Sequence, residues 1–221
     1  MANLPDPTKS ELVKTVLRGI KRAHGSRQEQ AKPLTREMLE IICSSLGQGL
    51  HDVRDRALFL VGFASGMRRS ELCSLQVEQV KLTGVGAELL LLRSKTDTDG
   101  KGRVIKLTRT GGSLCPVQAL QDWLERGVLV SGPLFRPIDR WGRVLDRALS
   151  GEAVGKLLHL RLSAVGLNSN GFTGHSFRAG FVSAAVQQGE ALWRVRHQTG
   201  HASDQSAYRY VRCALHPVNV L

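Results

Sequence analysis

Residues 76–107 read QVEQVKLTGVGAELLLLRSKTDTDGKGRVIKL, and this stretch sets the fold class. Val77, Val80 and Leu82 lead into Gly84-Val85-Gly86, and the apolar run Leu89 to Leu92 follows. Asp97 to Gly102 is rich in turn formers, and Val104, Ile105 and Leu107 make a last short apolar segment. Short apolar runs bounded by Gly and Asp predict three strands in a small antiparallel sheet. Lys95 falls at the tip between the second and third.

Outward from this sheet the chain reads as helix. Upstream, residues 11–23 (ELVKTVLRGIKRA) carry Leu12, Val16, Leu17 and Ile20 at helical spacing. Residues 24–33 (HGSRQEQAKP) hold Gly and Pro and no apolar pattern, so they read as a linker. Thr35 suits an N-cap, and Asp52 suits another for a helix over 53–65 closed by Gly66. Downstream, Pro116 fits the first turn of a helix to Arg126, and Ser150 caps one to Val165. Further helices are expected near 176–188, 190–198 and 203–211, with Gly189 and Gly200 as breaks. The expected class is α+β, mainly α, with one three-stranded antiparallel sheet. Residues 1–33 form an N-terminal helix and linker, and 34–221 the principal domain.

Lys and Arg number 31 against 19 Asp and Glu, a formal charge of +12. Such an excess calls for a polyanion, most commonly nucleic acid. The basic residues are spread along the chain and not gathered on one amphipathic helix, which disfavours a membrane surface. Cys43, Cys73, Cys115 and Cys213 lack C-x-x-C spacing and sit in or beside apolar stretches. They read as buried free thiols of a reducing compartment. With neither a membrane-length apolar run nor a signal-peptide pattern, the expected location is cytoplasmic, nucleoid-associated.

Four short motifs carry possible chemistry. In GMRRSEL (66–72), Arg68 and Glu71 are three apart, so the carboxylate can orient a guanidinium whose fork suits phosphate. In GHSFRAG (174–180), His175 and Arg178 have the same spacing and can face one oxyanion. In TGHAS (199–203), Gly200 turns the chain before His201, and Tyr210 follows nine residues later. Tyr208 and Tyr210 are the only tyrosines in the chain. In RSKTD (93–97), Lys95 can reach a groove and give a proton to a leaving oxygen; Lys101 and Lys106 are alternatives on the same hairpin. Taken singly, each has an ordinary reading: a surface ion pair, a capping histidine, packed aromatics, a turn lysine. A zinc site is disfavoured, because Gly200 interrupts the His197–His201 spacing and no H-E-x-x-H occurs. No Walker A or G-x-G-x-x-G fingerprint occurs, so no nucleotide cofactor is indicated.

The order of these motifs resembles the tyrosine recombinase (phage integrase) family from about Thr35 to Arg212. GMRRSEL looks like its first box, SKTDTDGKGRV like its lysine-bearing hairpin, GHSFRAG like its second box, and TGH with YRYVR like its third box and nucleophile. The resemblance implies that Tyr210 attacks a scissile phosphodiester of double-stranded DNA to give a 3′-phosphotyrosine. It implies that Arg68 and Arg178 clamp the non-bridging oxygens, Lys95 protonates the leaving 5′-oxygen, His175 is the base, and His201 bonds the phosphate. Glu71 orients from behind. No metal, ATP or other cofactor is implied. Assembly is expected as a tetramer on DNA, in a prokaryotic or phage setting such as a mobile element. The family usually carries a DNA-binding domain ahead of the catalytic one, and residues 10–23 are expected to be its last helix or remnant. The alternatives are a non-catalytic DNA-binding protein on the same fold and a type IB topoisomerase-like relaxing enzyme.

Overall fold

The computed structural model describes residues 6, 8, 10–25, 30–92 and 102–200. Two compact units divide the chain, 1–30 and 31–221. The first is built on helix α1 (Glu11–His24), capped by Ser10, whose Oγ accepts from Val13 N at 3.3 Å.

The second unit is organised around α3 (Leu50–Ser65). Residues Val53 to Gly62 of this helix are buried except Arg56, so it is covered nearly all round, with Arg54 and Asp55 buried beside its apolar residues. It packs against α5 (Pro116–Arg126) and α7 (Ser176–Gln187), and touches the strand Arg103–Thr108. Phe59 meets Phe177 of α7 with ring centroids 5.3 Å apart. Trp123 of α5 is fully buried and donates its indole N–H to the Leu134 carbonyl at 2.9 Å. Helices α2 (Arg36–Ser45) and α6 (Gly151–Ala164) complete the layer and are capped by Thr35 and Ser150. The expected caps at Thr35 and Ser150 are present, and Pro116 opens α5 in its first turn behind the N-cap Cys115.

Asp52 is a correction. The helix begins at Leu50 with Gly49 as its N-cap, and Asp52 lies in the first turn. Its carboxylate accepts from Gly47 N at 3.2 Å and pairs with Arg161 of α6 at 2.7 Å. A tertiary partner has claimed the side chain that local rules assign to capping. The adjacent Asp55 is fully buried and accepts from Arg54 at 2.6 Å and from Arg161 Nε at 2.8 Å. Desolvating that carboxylate is tolerable only because two guanidiniums surround it.

The sheet has the order β1-β2-β3, all antiparallel: Val80–Leu82, Gly86–Leu91 and Arg103–Thr108. Val77 belongs to a short 3-10 turn ahead of β1 and not to a strand. Register pairs Leu91 with Arg103, Leu89 with Ile105 and Ala87 with Leu107. These residues share the inner face, while Leu90, Val104 and Lys106 face out. Lys95 and Lys101 lie outside the described residues. The architecture is mainly helical with one small antiparallel sheet, as expected. Cys43, Cys73 and Cys115 are buried free thiols, and burial pushes the Cys43 thiol up to about 11. No helix among the described residues is long and apolar enough to cross a membrane.

Candidate active site

Gly66 ends α3 in the left-handed conformation, φ +60°, which turns the chain at once into the next element. A side chain there would meet the Phe181 ring at 2.6 Å and Thr199 Cγ2 at 2.9 Å. The α3–α4 junction therefore lies flat against α7 and α8 (Leu192–Thr199). Arg68 stands at the N-cap of the short helix α4 (Arg69–Ser74), and Glu71 lies in its first turn. The two are not successive residues of one helix face, as the spacing alone suggests. Glu71 instead reaches back to accept the Arg68 backbone N–H at 2.9 Å and the Arg68 guanidinium at 2.8 Å. The carboxylate is 4 % exposed, so it is a fixed holder and not a solvated surface partner.

The second motif opens α7. His175 is its N-cap residue and Arg178 lies in its first turn. Arg178 is 3 % exposed, and its Nη1 donates to the Gly66 carbonyl at 2.9 Å and to the Thr199 carbonyl at 2.6 Å. Arg68 Nη2 donates to the Gly200 carbonyl at 2.9 Å. Gly200 closes α8 in the left-handed conformation, φ +66°, which presents these successive carbonyls. Arg68 and Arg178 therefore meet at the Thr199–Gly200 junction, and Arg178 also reaches the Gly66 carbonyl. Both are tied to neutral carbonyls there, and Arg68 also meets the Glu71 carboxylate.

Two further arginines join them. Arg103 on β3 donates Nη2 to Glu71 Oε2 at 2.8 Å. The side chain of Arg69 lies across Gly151 and Gly174, where any Cβ would collide with it. His175 itself is exposed. Partial desolvation, then the positive fields of Arg69, Arg178 and Arg68, hold its imidazole below the ordinary 6.5. It is therefore neutral at neutral pH and able to accept a proton. NMR titration of the free chain is expected to show the His175 imidazole protonating below pH 6.5. Arg69→Met, which removes the largest of the three charge effects, is expected to move that midpoint upward. A midpoint at or above 6.5 in the unsubstituted chain contradicts this electrostatic account.

Of the residues singled out by sequence, Arg68, Glu71, His175 and Arg178 are brought together, while Lys95, His201, Tyr208 and Tyr210 lie outside the described residues. Arg69 and Arg103 were not singled out. The signal for Arg103 is strand alternation, which puts it on the inner face with Ile105 and Leu107. Arg69 gives no such signal, because its glycine neighbours lie far along the chain.

Residues 27–215 match the model of the phage integrase family. The chain is 32 % identical over 208 residues to an integrase/recombinase xerD homolog of Selenomonas ruminantium, covering 93 % of this chain and 61 % of that protein. It is 28 % identical to the tyrosine recombinase XerC of Halalkalibacterium halodurans, covering 75 % of this chain and 52 % of that one. It thus spans under two thirds of the length of these curated relatives. Among solved structures it resembles XerH site-specific recombinase bound to difH substrate in a pre-cleavage complex. The TM-score is 0.62 at 21 % identity, over 82 % of this chain and 50 % of that one. It also resembles a lambda integrase dimer bound to a COC′ core site, with TM-score 0.62 at 17 % identity, over 96 % and 62 % of the two chains. These two likenesses concern the fold.

Proposed function

Because this chain belongs to the phage integrase family, we propose that it is the catalytic part of a site-specific tyrosine recombinase that cuts and rejoins double-stranded DNA. The observation that carries this reading is the convergence of Arg68 and Arg178 on the successive Thr199 and Gly200 carbonyls, with Glu71 behind and neutral His175 beside them. Guanidiniums fixed before the reaction stabilise charge that develops on a transferring phosphoryl group without reorganising.

In this reading Tyr210 attacks the phosphorus, the bond to the 5′-oxygen breaks, and a 3′-phosphotyrosine forms. His175 takes the phenolic proton, Lys95 supplies one to the departing 5′-oxygen, and His201 bonds the phosphate. Arg68 and Arg178 hold the non-bridging oxygens. The phosphotyrosine keeps the bond energy, so a 5′-hydroxyl of the partner strand reverses the step without a cofactor. The solved relatives held on DNA, one of them as a dimer on a core site, support double-stranded DNA as substrate and assembly of several copies on it. Residues 1–33 belong in this reading to the end of a preceding DNA-binding domain. The setting is prokaryotic cytoplasm or a phage host, in keeping with the bacterial relatives.

The test is capture of DNA by the chain from a library of nicked duplexes with randomised arms. The expected product survives detergent and boiling, is destroyed by protease, and is joined through the DNA 3′ end. Salt-sensitive binding with no such product supports the non-catalytic alternative and overturns the proposal. Relaxation of supercoiled plasmid without site preference favours the topoisomerase-like one.

A further inference from the structure

Arg103 stands on the inner face of β3, in line with Ile105 and Leu107, where the strand pattern calls for an apolar side chain. Its side chain is 16 % exposed. A charge placed there is costly unless it is paired. Its pair is Glu71, through Nη2 to Oε2 at 2.8 Å, on the same carboxylate that holds Arg68 through Oε1 at 2.8 Å. The other two nitrogens, Nε and Nη1, are buried with no hydrogen-bond partner among the described residues. Nη1 lies against Gly200, where any Cβ would overlap it. The site thus keeps a glycine where Arg103 needs the room.

One carboxylate between two guanidiniums has an electrostatic consequence. Glu71 with Arg68 alone would be a neutral pair, and Arg68 would bring no net charge to the proposed phosphate. With Arg103 added, two cations share one anion, and one positive charge is left over. We infer that Arg103 is a positioning residue of the phosphate site: by taking half of Glu71 it lets that carboxylate orient Arg68 without cancelling its charge. The inference rests on the proposed recombinase reading for its place in catalysis, but its electrostatic core can be read without cleavage.

The probe is inorganic phosphate, titrated at pH 7.5 and read through the His175 imidazole by NMR. Arg103→Met leaves the Arg68–Glu71 pair neutral, and phosphate binding is expected to weaken about tenfold, as loss of one nearby charge in a partly screened site implies. Arg103→Lys, which keeps the charge, is expected to recover most of that loss. Glu71→Gln combined with Arg103→Met restores the single positive charge, and is expected to bind phosphate within about threefold of the unsubstituted chain. A merely structural arginine predicts the reverse, with the double variant worse than either single one. Binding by R103M within twofold of the unsubstituted chain overturns the inference, and so does a double variant weaker than R103M. Should R103M fail to fold, E71Q against E71Q/R103M carries the same test. E71Q then binds more tightly by about tenfold, and equal binding overturns the inference. With a DNA duplex selected by covalent capture, R103M is further expected to slow adduct formation at least tenfold. Failure of the unsubstituted chain to form any adduct overturns the recombinase reading and leaves the phosphate result standing on its own.

Discussion

Tyr210→Phe is expected to abolish covalent capture of DNA altogether and to leave DNA binding unchanged. The substitution deletes one oxygen and nothing of the ring, so only the proposed nucleophile is lost. A phenol with a reference pKa of about 10 is a poor nucleophile at neutral pH. It needs a base beside it and cations at the phosphate it attacks. In the proposed mechanism His175, held neutral, is that base, and Arg68 and Arg178, tied at the Thr199–Gly200 junction, are those cations. Tyr208→Phe is the control, and capture should persist in it. Capture lost with Tyr208→Phe and kept with Tyr210→Phe would assign the nucleophile to the other tyrosine. Denaturing gels of captured DNA, with filter binding of the same duplex, separate the outcomes.

Arg178→Ala is expected to slow adduct formation on the order of a thousandfold, the scale of losing one preorganised donor to a developing oxyanion. It should also lower the melting temperature, because the Gly66 and Thr199 carbonyls lose a shared buried donor. Arg178→Lys separates the two effects. An ammonium can reach a carbonyl and restore part of the stability, but lacks the planar fork that serves carbonyls and phosphate together. Stability should recover and the rate should not. Equal recovery of both would mean that Arg178 acts only as a structural tie.

How far the sequence carried the reading depends on how local each determinant is. Thr35, Pro116 and Ser150 act on backbone within their own first turn, and each caps or opens the helix expected of it. Asp52 failed that rule because Arg161, more than a hundred residues away in the chain, captured its carboxylate. Val77 looked like strand by composition, but its segment closes a 3-10 turn instead. Within the site, Arg68, Glu71, His175 and Arg178 were legible because short spacings and their order carried them. Their mutual geometry was not legible. The spacing suggested two residue pairs on helix faces, whereas Arg68 and His175 both sit at N-caps and the contacts run to backbone carbonyls. Arg103 could have been read from alternation, and Arg69 only from a fold that lays it over Gly151 and Gly174.

The two arginine-to-carbonyl ties also bear on when the site comes into being. The Arg178–Gly66 bond joins residues 112 apart in the chain, and the Arg68–Gly200 bond residues 132 apart. Contacts of such long range incur their loop-closure entropy before they return anything, so they form late in folding. A chain emerging from the ribosome presents its basic charge well before α8 docks against the end of α3. Until then Arg68 and Arg178 have no common anchor. In the proposed reading, the junction that closes last is therefore the one that assembles the phosphate site.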